Sequence, residues 1–149
     1  MPTHAEKKVL PHRPEQMFDL VADVGRYPEF LPWCVGARIR SRTDTLLIAD
    51  LIIGFKGIRE SFTSRVALDR EAMTIDVTYQ DGPFKYLNNN WKFGYAEADQ
   101  CALDFYVDFE FKSRILQKMI EMLFSEAVRR MVFAFEQRAA QLYGRPALS

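Results

Sequence analysis

The chain has 149 residues, 48% of them hydrophobic, enough for a single domain over residues 1–149 with a core that folds unaided. Twenty basic and twenty acidic side chains cancel, so the net field draws the protein toward neither DNA nor an anionic surface, and any such contact needs a local patch. The longest apolar run, Leu46 to Phe55, is broken by Asp50, and Met1 to Lys8 has no apolar stretch behind its charges, which argues against a membrane span or signal peptide.

Residues His4 to Leu10 fit a first strand. Pro14 at a first helical turn, Glu15 near the positive end of the dipole, and Met17, Phe18, Val21 and Ala22 at helical spacing predict a short amphipathic helix that Gly25 ends. Tyr27 to Cys34 then carries two prolines and several aromatics, as a turn or a second small helix. Six further strands are predicted at Val35 to Arg42, Thr45 to Ile53, Ile58 to Leu68, Met73 to Tyr79, Lys85 to Ala96 and Cys101 to Phe111. Their short connections require antiparallel neighbours. In the last of them Cys101, Leu103, Phe105, Val107, Phe109 and Phe111 share one face and Asp104, Asp108 and Glu110 the other.

From Lys112 to Tyr143 there is neither Gly nor Pro. Phe124, Val128, Met131, Phe135, Ala139 and Leu142 recur every three to four residues, with Leu116, Ile120, Leu123, Ala127 and Ala134 as a second row. This predicts one long terminal helix with a broad apolar arc, Met131 facing the sheet and Met122 pointing away. Strand, small helices, six antiparallel strands and a long helix make an α+β arrangement, the sheet curving around the helix.

Met17 to Val24 leading into Tyr27-Pro28-Glu29-Phe30-Leu31-Pro32-Trp33-Cys34 resembles the coenzyme-Q-binding START-domain family, part of the polyketide cyclase/dehydrase superfamily, and its bacterial ribosome-association toxin relatives. Gly54-Phe55-Lys56-Gly57 before Glu60 to Ser64, Gly82 to Leu87 before Trp91-Lys92-Phe93, and Ala134 to Ala139 before Tyr143-Gly144 agree with it. The resemblance implies a helix-grip fold, a curved seven-stranded antiparallel sheet wrapped around the terminal helix with an apolar cavity between. It implies two functions that similarity alone does not separate: holding ubiquinone or a related isoprenoid, in support of respiration, and binding the large ribosomal subunit so as to block subunit joining. A cyclase or aromatase sharing the shape is a third, carried by fold analogy alone.

The expected pocket set is Trp33, Leu51, Phe55, Glu60, Phe62, Phe84, Leu87, Trp91, Phe93, Phe105, Phe124, Val128 and Met131. Aromatic walls suit a flat ring and a polyisoprene tail, and ordinary core packing uses the same residue types. Glu60 shares parity with Phe62 and Val66 and is expected to point inward, toward a polar head, unless an ion pair or a bulge at Gly57 turns it out. Arg38, Arg40 and Arg42 alternate along one strand as three cations on a single face, open to ribosomal RNA, to anionic lipid or simply to solvent. The GxxG form of Gly54 to Gly57 is more simply a turn. Tyr27, Phe30, Pro32 and Trp33 belong beside one mouth of the cavity, as a mobile lip that could rest on a membrane or as a plug. His4 and His12 sit near the amino terminus, and no metal-spaced cluster or catalytic constellation is apparent. The expectation is a non-enzymatic protein with no metal and no covalent cofactor, its two cysteines reduced. Its expected location is the cytoplasm, with peripheral contact at the inner membrane in reach.

Overall fold

The computed structural model describes residues 3–55, 58–97 and 99–144, with the side chains of Phe55 and Ile58 outside that description. The elements run β1 (Thr3–Leu10), α1 (Pro14–Ala22), a 3-10 turn (Val24–Glu29), β2 (Cys34–Arg42), β3 (Leu46–Phe55), β4 (Ile58–Asp69), β5 (Thr74–Asp81), β6 (Phe84–Tyr95), β7 (Cys101–Phe111) and α2 (Arg114–Tyr143). The seven strands form one antiparallel sheet in the order β1-β7-β6-β5-β4-β3-β2. Six hairpin-connected strands lie in sequence, and β1 closes the far side by pairing with β7. The chain must therefore cross the whole sheet between β1 and β2, and α1 with the 3-10 turn makes that crossing. Register shifts at Cys34/Gly36, Ile39/Ser41, Thr63/Ser64 and Phe84/Tyr86 are the bulges that bend the strands and sharpen the twist, curling the sheet into a concave wall.

Local chemistry explains the element ends. Pro14 opens α1, where the Gln16 side chain accepts the Arg13 N–H at 3.0 Å, and Met17, Phe18, Leu20 and Val21 turn inward and are buried. The helix stops at Ala22, before the expected Gly25, which instead lies inside the 3-10 turn. β5 begins one residue later than expected because Met73 has φ 56°, a left-handed conformation that no strand accommodates. Gly82 joins β5 to β6 with φ 142°. A side chain there would put its Cβ 2.5 Å from that of Phe62, so only glycine lets the turn lie against β4. α2 begins at Arg114 because the Ser113 hydroxyl accepts the Leu116 N–H at 3.3 Å, while the Lys112 N–H is already bonded to the Pro83 carbonyl.

The 30 residues of α2 extend ~45 Å at ~1.5 Å per residue. Its fully buried apolar side chains are Val128, at its midpoint, and Val132, Phe135 and Ala139 beyond it; before Val128 the buried residue is Gln117. Leu142, counted with the inner row by its spacing, is 51% exposed, and the neighbouring Tyr143 packs against the core instead. Met122 points outward as expected, at 85% exposure.

Candidate functional site: an apolar cavity under α2

The concave face of the sheet divides into two territories. At one end α1 and the second half of α2 seal it: Phe18 packs edge-on against Phe93 at 5.7 Å between ring centres, and both are buried. At the other end the first half of α2 stands off the sheet. Between them lies a cavity of about 230 Å³, many times the ~10–15 Å³ that one water needs.

Each strand from β3 to β7 contributes its inward parity to the walls. Leu51 and Ile53 come from β3, Phe62, Ser64 and Val66 from β4, Val77 from β5, Phe84, Leu87, Asn89 and Trp91 from β6, and the alternating series Phe105, Val107, Phe109 and Phe111 from β7. The roof is α2, with Met119, Ile120, Leu123, Phe124, Ala127, Val128 and Met131 among its residues. Val24, Tyr27, Leu31 and Trp33 close the side nearest the 3-10 turn. No charged side chain lines the cavity among the described residues.

Of the expected pocket set, Trp33, Leu51, Phe62, Phe84, Leu87, Trp91, Phe105, Phe124, Val128 and Met131 meet at this cavity. Phe93 does not. It keeps the parity of Trp91, but two residues along β6 the face passes under α1, and Phe18 covers it. Glu60 is half-buried with the inward parity predicted for it, opposite the lining residue Ile53, yet sits outside the lining. Phe55 and the proposed bulge at Gly57 fall outside the described side chains. On the strands, the expected set leaves out Ile53, Val66 and Val77, the remainder of the β7 series, Val107, Phe109 and Phe111, and the two polar lining residues, Ser64 and Asn89. Strand parity contains all of them: Asn89 lies between Leu87 and Trp91 on β6, an amide where the pattern calls for an apolar side chain.

The polar groups of the walls are held by the protein itself. Ser64 Oγ donates to the Ala49 carbonyl at 3.2 Å, and Trp91 Nε1 donates to Asn89 Oδ1 at 2.8 Å. The Tyr27 hydroxyl donates to the Val21 carbonyl, and burial pushes its ionisation far above the ordinary tyrosine range. Trp91 is fixed further by rings on three sides, with Phe105 at 4.7 Å, Phe135 at 5.3 Å and Phe93 stacked at 6.2 Å.

Tyr27, Glu29 and Phe30, in the aromatic segment beside the cavity, make contacts with α2. Tyr27 and Phe30 pack edge-on against Phe135 at 5.5 and 5.2 Å. Arg138 of α2 donates to Glu29 at 2.6 Å and places its guanidinium 5.3 Å over the Phe30 ring.

The three arginines of β2 do not share one face. Arg38 pairs across from Asp50, but the bulge between Ile39 and Ser41 shifts the register, so that Arg42 lies opposite Leu47, a residue of the buried face. Arg40 is bound to Asp50 at 2.7 Å, and Asp50 also accepts the Thr63 hydroxyl at 2.6 Å. The Thr63 and Arg40 hydrogen bonds hold the Asp50 carboxyl below its usual range. The expected three-cation stripe is thus reduced to one arginine with its charge largely matched and two on different registers.

Among the described residues no group of His, Cys, Asp and Glu could hold a metal ion, and no helix is long and apolar enough to cross a membrane. Cys34 and Cys101 are free and buried, and burial raises both thiols.

Residues 10–136 match the family described as polyketide cyclase/dehydrase and lipid transport. The chain is 40% identical over 138 residues to the ribosome association toxin RatA of Rickettsia prowazekii, covering 91% of this chain and 94% of that one. It is 36% identical over 145 residues to the mitochondrial coenzyme Q-binding protein COQ10 homolog B of Xenopus laevis, covering 95% of this chain and 59% of that protein. A START superfamily protein from Mycobacterium smegmatis superposes with a TM-score of 0.80 at 21% identity, over 94% of this chain and 98% of the other, a likeness of fold. With the seven-stranded curved sheet gripping a long carboxy-terminal helix, the chain belongs to the polyketide cyclase/dehydrase and lipid transport family and has a START-like fold.

Proposed function

We propose that the protein holds ubiquinone or a similar isoprenoid in the cavity between sheet and α2, as a non-enzymatic carrier that supports respiratory quinone function. The observation that carries this reading is the cavity itself: about 230 Å³, walled by aromatic and aliphatic side chains, with no charge among the described lining residues. Each isoprene unit removes on the order of 100 Å² from water, worth ~2.5 kcal/mol before ordering costs. Affinity then comes from burial, and selectivity for tail length is loose. The name of the frog relative supports the quinone assignment. A carrier role, rather than a cyclase's, is supported by the lining: its ionisable group among the described residues is the Tyr27 hydroxyl, which is committed to Val21 and displaced upward by burial. A cytoplasmic protein that touches the inner membrane to exchange ligand fits this role.

Organic extraction of protein purified from its native host, followed by mass spectrometry, is expected to release a quinone or related isoprenoid. Added ubiquinone is expected to quench tryptophan emission saturably, since Trp91 and Trp33 both line the cavity. A lipid-free extract together with an absence of saturable quenching removes the proposal.

The second reading, binding to the large ribosomal subunit, is supported by the name of the Rickettsia relative at 40% identity and by the exposed Arg38, Arg40 and Arg42 of β2. The matched charge of Arg40 weakens that support. Sedimentation of ribosomal particles with excess protein separates the two: unchanged subunit profiles without comigrating protein exclude it.

A further inference from the structure

We propose that Asn89 is a polar anchor inside the cavity, taking the neutral hydroxyl or carbonyl oxygen of an isoprenoid head. The proposal rests on the cavity being a ligand site. It adds where the head lies and which heads are accepted.

The orientation of the Asn89 amide is fixed by two partners that can each play one part. The Tyr106 carbonyl can only accept, and it faces Nδ2 at 2.9 Å; the Trp91 indole can only donate, and it faces Oδ1 at 2.8 Å. A primary amide has two N–H groups and two lone pairs on oxygen. The protein uses one of each, which leaves one donor and one acceptor on a side chain that lines the cavity. Ser64 keeps acceptor capacity alone, since its proton goes to Ala49, and the Tyr27 proton goes to Val21. Asn89 is therefore the described lining side chain that can both give and receive a hydrogen bond.

Its place is central. Asn89 lies directly across from Val77 on β5 and Val107 on β7, both of them lining residues, so an oxygen bonded there is surrounded by hydrocarbon. In such surroundings an unanswered amide valence is costly, and a ligand oxygen that answers it is correspondingly favoured. A hydroxyl or a carbonyl meets the remaining valences. A carboxylate or phosphate would enter without a counter-charge, since no cation lines the cavity among the described residues. The class selected is an isoprenoid with a neutral oxygen head, and charged amphiphiles are rejected.

The test compares farnesol, an isoprenoid alcohol, with farnesane, its saturated hydrocarbon counterpart, on the full chain and on Asn89→Leu. The wild type is expected to bind farnesol about tenfold more tightly than farnesane, the scale of one net hydrogen bond. Asn89→Leu is expected to abolish that preference, weakening farnesol, whose hydroxyl then enters without a partner, and strengthening farnesane, which no longer buries an unanswered amide. In nitrogen–proton correlation spectra of the wild type, farnesol and not farnesane is expected to shift the Asn89 side-chain amide. A ratio that survives the substitution, or an amide that stays in place with farnesol bound, overturns the anchor. Equal binding of the two ligands by the wild type overturns the anchor and leaves the cavity reading standing. Binding of neither, with no saturable binding of ubiquinone, removes the cavity reading and the anchor with it. The amide shift is read on unsubstituted protein, so it decides the matter even where Asn89→Leu fails to fold.

Discussion

The two halves of α2 carry similar sequences and do different work. From Val128 onward the helix presents Val128, Val132, Phe135 and Ala139, each buried, toward α1 and the 3-10 turn, with Val128 and Phe135 also bordering the near end of the cavity. Before Val128 it presents Leu116, Met119, Ile120, Leu123, Phe124 and Ala127, each only half-buried, because these side chains face a cavity. Both halves are apolar on the inside, and both keep helical spacing. The difference lies in what opposes them: α1 and the 3-10 turn pack against the second half and close the end of the cavity that Val128, Met131 and Phe135 border, and no element fills the space under the first half. An amphipathic face thus records that a helix has an apolar neighbour without saying whether that neighbour is protein or ligand.

This contrast predicts that stability and ligand affinity respond to different halves. The largest stability effect is expected for Phe135→Ala, which removes the ring meeting Tyr27, Phe30 and Trp91 and is expected to cost about 3–5 kcal/mol in urea unfolding. Phe124→Ala, whose ring meets Phe109 at 5.5 Å beside the cavity, is expected to cost less than half as much. Equal costs would break the division between the halves. Ligand binding should reverse the order: Ala127→Phe projects a ring into the cavity from its roof and is expected to abolish quenching by ubiquinone. It is expected to change stability by less than ~1.5 kcal/mol, since the added atoms enter open space.

The sequence carried the division of the sheet only in part. Strand parity placed Phe62, Trp91 and Phe105 on the inner face, and the observed register keeps them there. Parity also placed Phe93 and Glu60 on that face, correctly, but parity does not say how far along a strand the cavity extends. That limit is set by where α1 lies, a crossing connection whose position depends on β1 pairing with β7 and not on any local pattern. The β2 arginines failed for a different reason. Their alternation is real in the sequence, and a bulge at Ile39/Ser41 cancels it, because one inserted residue exchanges the two faces of a strand. Asn89 was legible as a violation of the pattern of β6, and its meaning required the partners that orient it.

The helix half above the cavity needs an anchor that does not fill the space beneath it, and Gln117 supplies one. Its Oε1 accepts the Phe111 N–H at 2.8 Å and its Nε2 donates to Glu121 at 3.2 Å, tying the first turns of α2 to the end of β7. Gln117→Ala leaves that backbone N–H without its partner and is expected to cost about 1–3 kcal/mol. The signature that separates this from general destabilisation is local: amide exchange should quicken from Ile115 to Ala127 and hold from Val128 to Ala139. Uniform quickening would mean that the two halves open as one.

The smallest effect is silent at neutral pH and belongs to the sealed end. Cys101 starts β7 opposite Leu10 and Tyr95, is fully buried, and has its thiol pushed from 9.0 up to about 11, chiefly by burial and then by the charge of Glu15. A raised folded value means that the native state holds the proton more tightly than the unfolded chain does. Its contribution is therefore complete below pH 9 and is lost as the pH rises through about 11. Unfolding free energy measured from pH 8 to 11 should fall more steeply for the wild type than for Cys101→Ala. The substitution has its own constant packing cost, so the slope and not the level is the readout. Parallel slopes would mean that water reaches the thiol, and that the end sealed by α1 is as open as the end roofed by the first half of α2.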